Sequence, residues 1–137
     1  MKTILCLCIF LLAVGSLYSQ EVAVIVNKSV TVSSADAGIL SQVYSLNKTE
    51  WTSGKPVKAS SVRVDAIKKK FYSFINTSED EVKRVWLKKK LTDGTETPKV
   101  FEQESDLLEY VKSTPGAIGF VSADKVTSDV KVLTKIK

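Results

Sequence analysis

Apolar residues fall into runs of different period along this chain, and each period predicts an element. Glu21 to Asn27 reads Glu-Val-Ala-Val-Ile-Val-Asn, almost continuously apolar, as expected of a strand covered on both faces. Ile39, Leu40, Val43 and Tyr44 recur at helical spacing behind Ser33 and Ser34, which stand where an N-cap is expected. Leu46 to Pro56 is a polar loop holding Trp51 and a Ser53-Gly54 turn, and Pro56 to Val62 is a short strand. From Asp65 to Ile75 the apolar Ile67, Phe71, Phe74 and Ile75 share one helix face, with lysines opposite. Ser78-Glu-Asp-Glu81 is a capping box that opens a second helix carrying Val82, Val85, Trp86 and Leu91. Thr92 to Lys99 follows as a turn-rich loop around Asp93-Gly94, and Val100 to Glu102 is a brief strand. Ser105 is expected to cap a helix bearing Leu107, Leu108 and Val111. Pro115-Gly116 stops that helix, and Ala117 to Val121 is a buried strand in which Gly119 permits close backbone approach. Val130 to Ile136 alternates as an edge strand.

Strands separated by helices predict a single α/β domain with a mixed sheet flanked by helices. That domain is expected over residues 21–137, since residues 1–20 read as a signal peptide. Lys2 precedes an apolar stretch from Ile4 to Val14, too short to span a bilayer comfortably, and Gly15 to Gln20 is a small and polar exit. Cleavage after Ser19 leaves the first strand intact; cleavage after Gly15 is the alternative, and a retained anchor is the other reading of the segment. The expected location is therefore periplasmic or secreted, with no membrane span after cleavage.

The only cysteines, Cys6 and Cys8, lie in that segment, so the remaining domain relies on its core rather than on disulfides. There is no histidine, which removes the commonest general base along with a common metal ligand. No converging catalytic set replaces it, so the chain reads as a non-enzyme with no cofactor or metal. The net charge of +5, one unit of it from Lys2, favours anionic partners in general. Lys68-Lys69-Lys70 and Lys88-Lys89-Lys90 fall on helices whose other face is apolar. They read as solvated faces rather than a nucleic-acid stripe, because no aromatic stacking motif accompanies them.

The order of motifs then becomes specific. An apolar strand ending in Asn27 is followed by Trp51-x-x-Gly54-x-Pro56-Val57, Phe71-Tyr72, Trp86, Thr92-x-Gly94-x-x-x-Pro98 and Pro115-Gly-Ala-Ile-Gly-Phe120. This series resembles the short, single-domain relatives of the phosphate-binding protein of phosphate ABC transporters. The resemblance implies one lobe of the type II periplasmic-binding-protein-like fold. It further implies a small oxyanion, phosphate first, as ligand and an ABC transporter permease or another envelope protein as partner. In full-length members the anion is held by helix-start amides, hydroxyls and an arginine, a chemistry that unpaired N–H groups and the helix dipole favour in general.

On that basis Ser60, Ser61 and Arg63 form the candidate oxyanion cradle, with Ser33 and Ser34 as a second helix-start pair. The chain departs from the family in three places, one of them Leu46, which stands where the loop after the first helix usually has a glycine. It also lacks a glycine- and serine-rich loop near its beginning, and Arg63 is followed by Val64-Asp65 rather than a Gly-Ser-Gly-Thr-like turn. Two further positions stay open on sequence alone. Trp51 is either a recognition surface or loop packing, and Thr92, Gly94 and Thr95 are either ligand donors or a simple turn. Trp86 reads as core. The alternative to solute binding is a protein-interaction module that keeps the fold without the ligand site.

Overall fold

The computed structural model describes residues 20–137, and the expected signal peptide lies almost wholly outside them. Five strands form one mixed sheet in the order β3-β2-β4-β1-β5. They are β1 (Val22–Val26), β2 (Lys58–Val62), β3 (Lys99–Phe101), β4 (Ala117–Ser122) and β5 (Lys131–Ile136). β2 runs parallel to β3 and β4, whereas β1 runs antiparallel to both β4 and β5. The two strands with unbroken apolar runs, β1 and β4, both lie inside the sheet and every residue in them is buried, whereas β2, also interior, is buried only over its last three residues. Continuous apolarity therefore marks burial on both faces. The alternating β5 takes an edge, as its sequence predicts.

Four helices cover the sheet: α1 (Ala37–Tyr44), α2 (Asp65–Phe74), α3 (Glu79–Asp93) and α4 (Glu104–Ser113). Phe120 of β4 points to the α2 side, where its ring stacks on Phe71 at 4.0 Å with the planes 11° apart. Tyr44 of α1 meets the same Phe71 edge-on at 4.8 Å. Gly119 faces the other side. A Cβ there would lie 2.6 Å from both Leu107 Cδ2 of α4 and Ser60 Oγ of β2, so the missing side chain lets α4 seat against the sheet.

Several helix boundaries differ from the sequence expectation. Asp36, not Ser33 or Ser34, caps α1 by accepting from the Ile39 amide at 2.9 Å. The buried Ala35 seats the preceding segment in the core, so the helix starts later. Gln103, not Ser105, stands at the N-cap of α4. α3 continues through Thr92 and Asp93 and ends at Gly94, whose φ of +66° closes the helix in the left-handed region. Only the residues after Gly94 form the loop. Ser78 does cap α3, accepting from the Glu81 amide. Leu91 was expected on the packed face of α3 and is instead 75% exposed.

The turn between α4 and β4 is tied to two distant segments, residues 27–29 and 51–58. Gly116 adopts a φ of +78°, and a side chain there would collide with the carbonyl of Pro56. Its N–H donates to Ser29 Oγ at 3.1 Å, and its carbonyl accepts from Trp51 Nε1 at 2.8 Å and Lys58 N at 3.1 Å. Just before it, the Asn27 side-chain Nδ2 donates to the carbonyls of Val111 and Lys112 at the end of α4. Trp51 is thus buried loop packing, with its indole N–H satisfied inside the protein. Trp86 is core as expected, and its Nε1 donates to the Tyr44 carbonyl.

Gly54 provides a control for the Gly116 geometry, since its φ is +86° but nothing lies within 4 Å of a Cβ placed there. Gly54→Ala is expected to cost about 1 kcal/mol from left-handed strain alone. Gly116→Ala adds the backbone collision, and its cost is expected to exceed that by a further ~1–3 kcal/mol. Urea unfolding of both variants checks this, and equal losses would show that the Pro56 contact carries no weight.

Candidate functional site

The carboxyl ends of β2 and β3 and the start of α2 form the end of the sheet where the sequence places its principal oxyanion residues. β2 delivers them because side chains alternate along a strand. Ser60 and Ser61 are both buried and point to opposite faces. Ser60 Oγ donates to the Ile118 carbonyl at 2.8 Å on the α4 side. Ser61 Oγ shares a hydrogen bond with Tyr72 Oη at 3.0 Å on the α2 side. The two hydroxyls do not converge, and each is engaged within the core.

Arg63 lies just beyond the strand. Its backbone N–H joins the Phe101 carbonyl, and its guanidinium meets Glu102 at 2.9 Å. That ion pair is open to water, with 59% of the arginine side chain exposed, so it contributes little stability and leaves the cation exchangeable. Immediately afterwards α2 begins at Asp65 behind Val64, which supplies no capping side chain. Among the described residues, the first-turn amides of Asp65, Ala66 and Ile67 therefore have no side-chain acceptor at the positive end of the helix dipole. Ser33 and Ser34 are exposed ahead of α1 and share no hydrogen bond with Ser60, Ser61 or Arg63 among the described residues.

Beside the start of α2, a cavity of about 300 Å³ is lined by Asp65, Lys68, Lys69, Tyr72, Ser78 and Glu79, among others. Its charge is balanced from within. Lys68, with only 10% of its side chain exposed, reaches Glu79 at 2.8 Å and Asp65 at 3.5 Å, while Lys83 holds Glu79 from the other side at 2.9 Å. The hydrogen bond to Glu79 raises the Lys68 pKa against the opposing effect of burial. The Glu79 carboxyl is held below its usual value, first by the hydrogen bond from Lys68 and then by that from Lys83. Burial pushes the Tyr72 hydroxyl up to about 12, and the Tyr44 hydroxyl also rises well above the ordinary tyrosine value because it is buried. Both stay protonated near neutrality and serve as hydrogen-bonding groups. No cluster of three or more His, Cys, Asp or Glu residues able to hold a metal occurs among the described residues.

The sequence pointed to Arg63, which lies just beyond β2 and is not among the residues lining this cavity. It missed the Lys68–Glu79 pair, although the lysine triplet behind Asp65 and the acidic first turn of α3 carry the charges that meet.

The architecture is that of one periplasmic-binding-protein-like lobe, and comparison with solved structures supports this. The chain superposes on a protein from Clostridium perfringens described as a phosphate ABC transporter substrate-binding protein with bound phosphate. That match has a TM-score of 0.69 and 15% identity and covers 85% of this chain and 46% of the other. An ABC-type phosphate transport receptor from Vibrio cholerae gives a TM-score of 0.67 and 20% identity over 85% of this chain and 47% of that one. The chain thus spans about half the length of these neighbours. No family model and no curated protein matches the sequence. Among the described residues no helix is long and apolar enough to cross a membrane.

Because the folded Glu79 pKa is depressed, its contribution to stability is present above the ordinary glutamate value, about 4.3, and is lost as pH falls through the lower folded value. Thermal unfolding is expected to show this acid-side loss shrinking in Glu79→Gln, relative to the parent, with little difference in slope above pH 6, about where glutamates are fully ionised. An unchanged acid limb would show that the Lys68–Glu79 pair does not set it.

Proposed function

We propose that this chain is an exported, non-catalytic solute-binding domain that takes a small oxyanion, phosphate first, at the junction of β2 and α2. The observation that carries the reading is the pairing of an uncapped helix start with an exchangeable arginine next to it. An incoming dianion competes with Glu102 for the Arg63 guanidinium and accepts hydrogen bonds from the α2 amides. In this reading Ser60 and Ser61 fix the end of β2 that presents Arg63, while Ser33 and Ser34 are exposed hydroxyls offered by the segment before α1. The neighbours that share the fold include one solved with phosphate, which supports phosphate as the first anion to test. Export to the periplasm or the medium follows from the apolar stretch at Ile4 to Val14, and delivery to an ABC transporter permease is the role the fold suggests.

One observation favours a second reading, a protein-interaction module. Both β2 hydroxyls are engaged internally, and the Asp65 carboxylate stands where an anion would approach. The two readings separate in calorimetry. Titration of the chain without its first nineteen residues is expected to give saturable heat with phosphate and less with sulfate at matched ionic strength. Arg63→Ala is expected to weaken phosphate by about tenfold to a hundredfold without changing the melting temperature. Asp65→Asn is expected to strengthen it, by removing a like charge from the helix start. A folded protein that gives no heat with either anion sinks the solute-binding reading and favours the interaction module.

A further inference from the structure

α3 has two sides of opposite character, and only one faces the protein. Val82 and Trp86 pack into the core, and Lys89 reaches back on that side to the Leu46 carbonyl at 3.1 Å and to Asn47 Oδ1 at 2.5 Å. One turn apart on the outer side stand Leu87, 57% exposed, and Leu91, 75% exposed. Lone exposed leucines are ordinary, but here two are aligned on one face with cations on both flanks. From Lys83 to Leu91 the sequence Lys-Arg-Val-Trp-Leu-Lys-Lys-Lys-Leu holds no acidic residue. Lys83 is drawn to Glu79, and Lys89 is tied down as described. Arg84, Lys88 and Lys90 have no carboxylate within ion-pair distance among the described residues. The acids of this helix lie at its ends, in the first turn at Glu79, Asp80 and Glu81 and at Asp93 in the last.

We propose that the outer face of α3 docks the domain on an anionic lipid bilayer. The face is a convex ridge, with two branched apolar side chains at its crest and flexible cationic side chains beside them. Such a ridge suits insertion at the boundary between headgroups and acyl chains, where leucines leave water and lysines extend toward lipid phosphates. Lysine, a mobile point charge, matches a diffuse negative surface better than a site that demands fixed bidentate geometry. The anchoring of Lys89 to the loop after α1 holds the helix to the body, so the crest is presented with little further ordering cost. This surface shares no residue with the β2–α2 junction, and its test is independent of anion binding.

The test is vesicle flotation of the chain without its first nineteen residues, because the apolar Ile4 to Val14 stretch would bind lipid by itself. The described sheet and core lie wholly within the remaining chain, and circular dichroism verifies that it is folded. The protein is expected to float with vesicles containing phosphatidylglycerol, to stay behind with phosphatidylcholine alone, and to be released by high salt. Lys88→Gln and Lys90→Gln are each expected to lower the partition about fivefold. The Leu87→Ser, Leu91→Ser pair is expected to lower it about tenfold while leaving the melting temperature and the salt dependence intact. Failure of the folded protein to float with anionic vesicles overturns the proposal. So does binding that ignores the leucines and is equalled by a soluble acidic polypeptide, which would assign the face to an acidic protein partner.

Discussion

The turn at Pro115-Gly116 is the point on which the sheet depends, because two segments far apart in sequence, residues 27–29 and 51–58, are hydrogen-bonded to one peptide unit or its neighbours. Gly116 receives Trp51 and Lys58 on its carbonyl and gives its N–H to Ser29, while Asn27 closes the end of α4 beside it. Backbone groups buried at a helix end must find partners, and here the partners come from the segment after β1 and from the loop before β2. The same contacts that satisfy the turn therefore align β1 and β2 on either side of β4. Only glycine suits the position, since the Pro56 carbonyl occupies the space a side chain would need.

From that turn the chain enters β4, whose alternate residues define the two layers. Gly119 admits Leu107 on one side, while Phe120 builds the aromatic cluster with Phe71, Tyr44 and Tyr72 on the other. Tyr44 then donates to the Ser60 carbonyl and Tyr72 bonds Ser61, so the aromatic layer also sets the position of β2. The geometry at the end of β2, where Arg63 and the first turn of α2 meet, is thus a consequence of core packing. Its electrostatics are nearly self-compensated. Glu102 and Arg63 face one another in water, and Asp65, Glu79, Lys68 and Lys83 form a chain of alternating charge. In the proposed anion-binding role, the gain there would come mainly from exchange with a carboxylate, since open-water pairs are weak and readily replaced.

Much of the fold was legible in the sequence because burial on both faces leaves a distinctive trace. The unbroken apolar runs of Val22–Val26 and Ala117–Val121 marked the central strands, and the alternation of β5 marked an edge. Caps were less legible. Ser33, Ser34 and Asp36 all have suitable side chains, and the choice of Asp36 rests on how far the burial of Ala35 carries the extended segment. Leu91 misled for a related reason. α3 packs by Val82 and Trp86 alone, which leaves its leucines on the solvent side.

By itself the sequence determined the element order, the α/β class, the stop at Pro115-Gly116 and the lack of histidine and of cysteine beyond residue 8, all properties of local periodicity and composition. Tertiary structure decided which polar groups were already taken. Ser60, Ser61 and Trp51 look equally available in a string of residues, yet they are already hydrogen-bonded to Ile118, Tyr72 and Gly116. The reason is physical. A hydroxyl or indole N–H has the same chemistry in either setting, and whether it meets water or a protein group depends on partners 11 to 65 residues away.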